Sequence, residues 1–261
     1  MKKILITGKG SYIGTHFKKY MEQWPDKYQV EELDMMDPSW KEHDFSSYDV
    51  IYHVAGIAHQ KETDANKNLY QKVNCDLAIE VAKKAKNEGV RQFIFMSSMS
   101  VYGLIYSKKM ITLDTPCNPN TYYGKSKYNA EQAIIKMNDD SFKVCILRPP
   151  MVYGENSPGN LTKLFNMVRK VHIFPTIKNK RSSITVDCLV NFVKIYIDDE
   201  CNGIYLPQND RYMCTYEIVK EKMEKEQVKV LYLSVFNPFI RLFIGKNNLI
   251  TKCFGDLVYG K

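Results

Sequence analysis

The sequence lacks a Cys-x-x-Cys pair: its seven cysteines stand at 75, 117, 145, 188, 201, 214 and 253. An odd, unpaired set argues against a disulfide framework and fits reduced thiols. The five histidines show no metal-ligand spacing with one another or with cysteine, so no metal is expected. No uncharged apolar run approaches about 18 residues, so no integral membrane segment is expected. The opening Met1-Lys2-Lys3-Ile4-Leu5-Ile6 is too short in apolar residues for a secretory signal, which needs about 7–15. A cytoplasmic protein is the resulting expectation. The net charge is +8, but no dense basic run and no nucleic-acid-binding motif accompanies it. That charge suits an anionic small molecule and equally a solvated, Lys-rich surface. The segment Val230–Gly245, broken by Pro238 and Arg241, reads as a C-terminal core or surface helix in preference to a membrane-surface element.

Short β-rich runs alternate with helical patterns. Strands are expected at Ile4–Thr7, Val30–Leu33, Val50–Val54, Gln92–Ser97 and Phe142–Leu147. Helices are expected at Tyr12–Glu22, Leu69–Asn87 and Tyr123–Met137, the second carrying the stripe Val73, Leu77, Val81 and Ala85. This alternation predicts an α/β fold with a doubly wound parallel sheet. After about residue 152 the pattern loosens. Leu161, Leu164, Phe165 and Val168 mark one short helix, and Leu189, Phe192, Val193 and Tyr196 mark another with Asp187 as its expected N-cap. Residues 1–152 are therefore expected to form a dinucleotide-binding domain and residues 153–261 a smaller, C-terminal substrate-binding region.

The first strand runs into Gly8-Lys9-Gly10-Ser11-Tyr12-Ile13-Gly14 and then a helix. Glycines let the backbone turn tightly and approach a pyrophosphate, which the unpaired amides of a helix N-terminus attract. Asp34 lies 20 residues beyond Gly14, at the end of the second strand. A carboxylate there accepts from the adenosine ribose hydroxyls and repels a 2′-phosphate, favouring NAD over NADP. Lys9 is the one residue in the turn that would partly offset a 2′-phosphate.

Tyr123 and Lys127 are four apart, so on a helix their side chains share a face. An ammonium beside a phenol favours the phenolate. Lowering a tyrosine by roughly three pKa units takes about 4 kcal/mol, which calls for a desolvated site and a second cation such as an oxidised nicotinamide.

Taken together, these pieces resemble the extended short-chain dehydrogenase/reductase family, Rossmann-type proteins, and within it the NAD-dependent nucleotide-sugar epimerase/dehydratases of the UDP-galactose 4-epimerase type. Thr7-Gly8-x-x-Ser11-Tyr12-Ile13-Gly14 is similar to that family's glycine motif, with Ser11 at the middle glycine. His53-Val54-Ala55-Gly56 resembles its strand segment beside the cofactor, and Asn74 falls at its structural asparagine. Ser97-Ser98-Met99-Ser100-Val101-Tyr102-Gly103 is similar to its Ser-Ser-x-x-Val-Tyr-Gly, with Ser98 at the catalytic position and 25 residues between Ser98 and Tyr123. Arg148-Pro149-Pro150-Met151-Val152-Tyr153-Gly154 resembles the Arg-Pro-x-x-Val-Tyr-Gly segment.

The resemblance implies Ser98, Tyr123 and Lys127 as the catalytic set. It implies a cofactor site of Gly8, Gly10, Ser11, Tyr12, Ile13, Gly14, Asp34, Asp44, Phe45, Val54, Ala55, Gly56 and Pro149, with Asp44-Phe45 as the adenine-edge pair. It further implies a nucleotide-diphosphate sugar held by Asn160, Leu161 and Arg181 and met by Met151, a homodimer, and a role in polysaccharide supply; His59, shortly after the cofactor-facing strand, is a further candidate substrate contact. Three departures bear on this. Met151 replaces a polar asparagine, and the 15 residues from Asp34 to Asp49 leave little room for the usual third strand. Met99-Ser100 stands where 4,6-dehydratases carry an Asp-Glu pair, so elimination of water lacks its acid and base. A nucleotide-sugar keto-reductase using NADPH, and a non-catalytic NAD(H)-binding protein, are the competing readings.

Overall fold

The computed structural model describes residues 1–58 and 60–260. Apolar runs form β1 (Lys2–Thr7), β2 (Tyr28–Leu33), β3 (Val50–His53), β4 (Gln92–Met96) and β5 (Lys143–Leu147), and the shorter β6 (Met151–Tyr153), β7 (Ile173–Pro175), β8 (Ser183–Thr185), β9 (Gly203–Tyr205) and β10 (Leu231–Leu233) follow. The helices are α1 (Tyr12–Met21), α2 (Lys67–Gln71), α3 (Leu77–Asn87), α4 (Tyr122–Ile134), α5 (Asn160–Val171), α6 (Val186–Asp198), α7 (Thr215–Lys225), α8 (Asn237–Phe243) and α9 (Asn248–Phe254).

Strand periodicity of two sorts the apolar residues onto two faces. Leu5, Ile51, Phe93, Phe95, Val144 and Ile146 meet Ala78, Val81, Ala82 and Ala85 of α3 and Ala130 and Ile134 of α4. Their sequence neighbours Ile4, Ile6, Tyr52, Ile94, Met96, Cys145 and Leu147 meet Phe17 and Met21 of α1 and Leu189, Val190 and Val193 of α6. The outcome is a parallel sheet in the order β2-β1-β3-β4-β5-β9, helices on both sides. Both α6 and β9 come from beyond residue 152, so the C-terminal stretch contributes to the sheet layers as well as to the smaller layer.

In that smaller layer β7 pairs with β10 over a core of Val168, Phe174, Val219 and Met223, while β6 pairs with β8 and packs Val152 and Ile184 against the α1 and α6 side of the sheet. The chain's end returns to the sheet domain, where Leu257 and Tyr259 pack with Met99, Val101 and Tyr102.

Because β1 is flanked by β2 on one side and β3 on the other, strand order reverses beside it, and the crevice outside the strand ends opens there. Between Asp34 and Asp49 the chain makes a single 3-10 turn at Pro38–Lys41, burying Trp40, so the shortened third strand is absent and β2 is an edge.

Two local expectations change. The N-cap of α6 is Thr185, whose hydroxyl accepts from the Cys188 amide, while Asp187 sits in the first turn. The long helix expected at Leu69–Asn87 is interrupted by a π-helical turn at Lys72–Asp76. Asn74 and Cys75, within that turn, are buried, while Leu69 before it is exposed. Single π turns of this kind concentrate at functional sites.

Candidate active site

The Gly8–Gly14 turn follows the end of β1, between the ends of β2 and β3. Gly8 has φ +127°, and a Cβ there would stand 2.7 Å from the Ala55 amide nitrogen. Only glycine lets this turn lie against Val54-Ala55-Gly56. Ser11, at the family's glycine position, caps α1: its hydroxyl accepts from the Gly14 amide at 3.2 Å. The Tyr12 and Ile13 amides belong to the first turn of α1, where backbone N–H groups have no intrahelical partner. Gly10 donates its amide to Glu32, 3.2 Å away.

Asp34 follows β2, whose Leu33 carbonyl accepts from the Gly8 and Lys9 amides (3.0 and 3.1 Å), so the acid stands beside the turn. The expected adenine-edge pair is not brought to the crevice as a pair. Asp44 is exposed, but Phe45 is fully buried in the core and its amide donates to Glu88 at 2.6 Å.

The catalytic candidates do converge. Past β4, Ser97 donates its amide to Leu147 and Met99 donates to the Pro149 carbonyl (2.8 and 2.9 Å), which extends the strand pairing to Ser98. Ser98 then caps the turn Met99–Tyr102, its hydroxyl accepting from the Ser100 amide. Helix α4 starts from Thr121, which caps the Gly124 amide, and from Glu62, whose carboxylate accepts the Tyr122 and Tyr123 amides at 2.8 and 3.0 Å. A carboxylate suits the positive end of a helix dipole. Tyr122 opens the helix and donates its hydroxyl to Asp64.

Gly124 sets the approach. A Cβ there would lie 2.6 Å from the Ser100 carbonyl, so the bare backbone lets α4 rest on the Ser98 turn. Tyr123 is thereby brought close to Ser98. Burial pushes its phenol above the usual value, and the Ser98 hydroxyl draws it back.

Lys127, only 4% exposed, donates to the Met96 carbonyl at 2.8 Å and lies over the Phe95 ring, 4.7 Å from its centroid. Burial lowers its ammonium to about 8, against the pull of Glu131, which raises it. A Cβ at Gly56 would stand 3.3 Å from Lys127 Nζ and 2.8 Å from Asn74 Oδ1. The π turn aims Asn74 at this point, where it accepts from the Ile57 amide and donates to the Ile57 carbonyl (2.8 and 3.0 Å).

Behind these groups lies a network missed by sequence reading. Glu131, one turn after Lys127, takes Arg148 in a buried forked ion pair and accepts from Ser97. Arg148 also donates to the Tyr102 hydroxyl at 2.9 Å. The i, i+4 spacing of Lys127 and Glu131 was the signal available.

On the substrate side, Met151 begins β6, while Asn160 and Leu161 open α5. The Arg181 guanidinium donates to the Gly255 carbonyl (2.8 Å), and burial lowers it from the ordinary arginine value. A half-buried guanidinium with further N–H donors suits a diphosphate. His59 lies outside the described residues.

A family model described as NAD dependent epimerase/dehydratase family matches residues 4–203. The chain belongs to that family. UDP-glucose 4-epimerase of Vibrio cholerae is 29% identical, the match covering 98% of this chain and 86% of that protein. The Escherichia coli O157:H7 protein named N-acetyl-alpha-D-glucosaminyl-diphospho-ditrans,octacis-undecaprenol 4-epimerase is 24% identical over 77% of this chain and 64% of its own.

UDP-glucuronic acid 4-epimerase from Bacillus cereus, solved with NAD, shares the fold at TM-score 0.75 and 17% identity, covering 89% of this chain and 86% of that one. A dTDP-4-dehydrorhamnose reductase from Clostridium acetobutylicum shares it at 0.73 and 18%, covering 89% and 83%. This epimerase/dehydratase is thus an NAD-dependent enzyme of the extended short-chain dehydrogenase/reductase type. The glycine turn, with its close approach to Ala55, fits the cofactor.

Proposed function

We propose that the enzyme is an NAD-dependent epimerase of a nucleotide-diphosphate sugar. The observation that carries this reading is the contact of the Tyr123 phenol with the Ser98 hydroxyl, with Lys127 one helical turn further along α4 and beside Gly56. Gly8, Gly10, Ser11, Tyr12, Ile13 and Gly14 would hold the pyrophosphate, Asp34 the adenosine ribose, and Val54, Ala55, Gly56 and Pro149 the remaining cofactor surface. Asp44 is left to face the adenine without Phe45. Bound NAD supplies a reversible two-electron sink beside the sugar carbon.

The chain's residues do the rest. Tyr123 takes the proton from the sugar hydroxyl and later returns it. Ser98 donates to the same oxygen as its charge develops. Lys127 orients the nicotinamide ribose and keeps positive charge near the phenol. Arg181 holds the diphosphate while the oxidised sugar turns over, so that reduction falls on the opposite face and the carbon is inverted. Met151, Asn160 and Leu161 line the sugar and base side, with His59 added by its place in the sequence.

Incubation with UDP-, GDP- and dTDP-sugars, read by product stereochemistry, tests the reading. An inverted sugar formed without net cofactor consumption supports it. Stoichiometric NADPH oxidation with a keto-sugar identifies a reductase instead, a reading favoured by Lys9 and opposed by Asp34. No conversion of any sugar leaves the non-catalytic NAD(H)-binding alternative. A homodimer, a cytoplasmic location and a place in polysaccharide supply belong to the same proposal. Light scattering checks the first.

A further inference from the structure

Residues 227–255 contain Lys229, Arg241, Lys246 and Lys252 and no Asp or Glu. The carboxylates at either edge are engaged, Glu226 by Arg169 and Asp256 by the Lys180 amide. Within this stretch the chain exposes Val235 (62%), Phe236 (46%), Phe239 (65%), Leu242 (65%), Phe243 (51%) and Leu249 (72%). Among the described residues the exposed phenylalanines all lie here. On α8, positions 239, 242 and 243 share one outward face, while Ile240 and the Ile244 that follows the helix are half-buried.

This face is held in place. Asn237 donates to the Thr176 hydroxyl at 3.0 Å, the Gly245 amide donates to Thr251 at 2.8 Å, and Asn247 caps α9. Contiguous exposed apolar surface of this kind marks an interaction site.

The geometry points to an anionic phospholipid surface as its occupant, with α8 lying in the plane of the headgroups. Phenylalanine and leucine enter the acyl boundary, and Arg241, Lys246 and Lys252 meet lipid phosphates. No helix among the described residues is long and apolar enough to cross a membrane, so the element lies on the surface. A second copy packed about a two-fold axis would set these cations against their own kind with no carboxylate between them. The sequence alone gave preference to a core or plain surface helix; the outward aim of Phe239, Leu242 and Phe243 reverses that preference. Docking stands apart from the proposed reaction, since it is read without turnover.

The test is sedimentation of the full chain with vesicles of phosphatidylcholine alone and of phosphatidylcholine mixed equally with phosphatidylglycerol. Binding to the anionic vesicles is expected, weakening as salt rises and falling about tenfold or more in a Phe239→Ser, Leu242→Ser double variant. Arg241→Gln with Lys246→Gln should weaken binding to the anionic vesicles. Retained NAD binding shows that the variants are folded. Absence of the wild-type chain from both pellets overturns the proposal, as does undiminished binding by the double variant. A dimer that becomes a monomer on Phe239→Ser, Leu242→Ser assigns the face to a second copy and overturns it too.

Discussion

Arg148 and Glu131 form a buried forked ion pair, with Nη2 to Oε2 at 2.7 Å and Nε to the two carboxylate oxygens at 3.1 and 3.2 Å. It joins α4, which carries Tyr123 and Lys127, to the end of β5. Through Ser97 it also reaches the backbone that presents Ser98. Removing one partner leaves the other buried and unpaired, a loss of about 3–5 kcal/mol. Arg148→Met and Glu131→Ala should each destabilise by that order in urea unfolding. Glu131→Gln, which keeps an acceptor for Ser97, should lose less stability but still lower kcat, because Lys127 loses the charge that supports its ammonium. A Glu131→Gln enzyme with unchanged kcat would confine the pair to a structural role.

The Tyr123 phenol is held above its ordinary value by burial in the free protein. The sequence spacing set Lys127 on the same helix face and called for a second cation as well; without one, desolvation raises the phenol and the Ser98 hydroxyl lowers it only in part. Oxidised nicotinamide adds the second cation, and each pKa unit of lowering corresponds to about 1.36 kcal/mol. Ultraviolet difference titration of the wild type against Tyr123→Phe should show no Tyr123 ionisation below pH 10 without NAD. Saturating NAD should shift it down by at least about one unit. Tyr123→Phe should bind NAD normally and lose about 10²–10⁴-fold in turnover. A signal already low without cofactor would make Lys127 sufficient by itself.

The parts of this architecture legible in the sequence were those written as local patterns. The glycine turn, the strands at β1 to β5, the Tyr123–Lys127 spacing and the missing third strand all follow from spacing or periodicity over a few residues. What was not legible depends on groups far apart in the chain. Phe45 looked like a cofactor contact because Asp44-Phe45 fits the motif, but the truncated connection after β2 pulls its ring into the core. Arg148 reads as a motif residue until its buried partner, 17 positions earlier, is seen. The π turn that aims Asn74 leaves no mark in the four-residue stripe, since one extra residue per turn changes the facing without changing composition.

His53 gives the site an acid-sensitive foundation. Its ring is fully buried, stacked with Phe93 and Phe95, and shares a hydrogen bond of 2.8 Å with the Thr7 hydroxyl. Burial, with the nearby Lys127 charge, lowers it to about 3. Its folded value is below the unfolded one near 6.5, so the unfolded chain binds the extra proton between those limits. Stability is therefore lost as pH falls from about 6.5 towards 3. Between pH 6.5 and 4.5 this linkage amounts to about 2–3 kcal/mol. Urea unfolding of His53→Gln should show that much less loss over the same interval, whatever its stability at pH 7. Parallel pH profiles for the two proteins would show that His53 does not titrate on unfolding.

Gly124→Ala separates the helix from the site it carries. In an ordinary exposed helix interior this change stabilises, by about 1 kcal/mol. Here the new Cβ would stand 2.6 Å from the Ser100 carbonyl and 3.1 Å from the Thr121 hydroxyl, and neither the carbonyl nor the capping bond to the Gly124 amide can yield without moving the turn. The helix must therefore lift from the Ser98–Ser100 segment, taking Tyr123 with it. A displacement of about 1 Å between reacting groups costs on the order of 10²-fold in rate. The variant should keep most of its affinity for NAD, since the Gly8–Gly14 turn after β1 is untouched and only the Lys127 contact moves with the helix, while kcat falls by about that factor. A gain in thermal stability with full activity would mean that α4 does not rest on Ser100 as drawn, and that Ser98 and Tyr123 are brought together by some other contact.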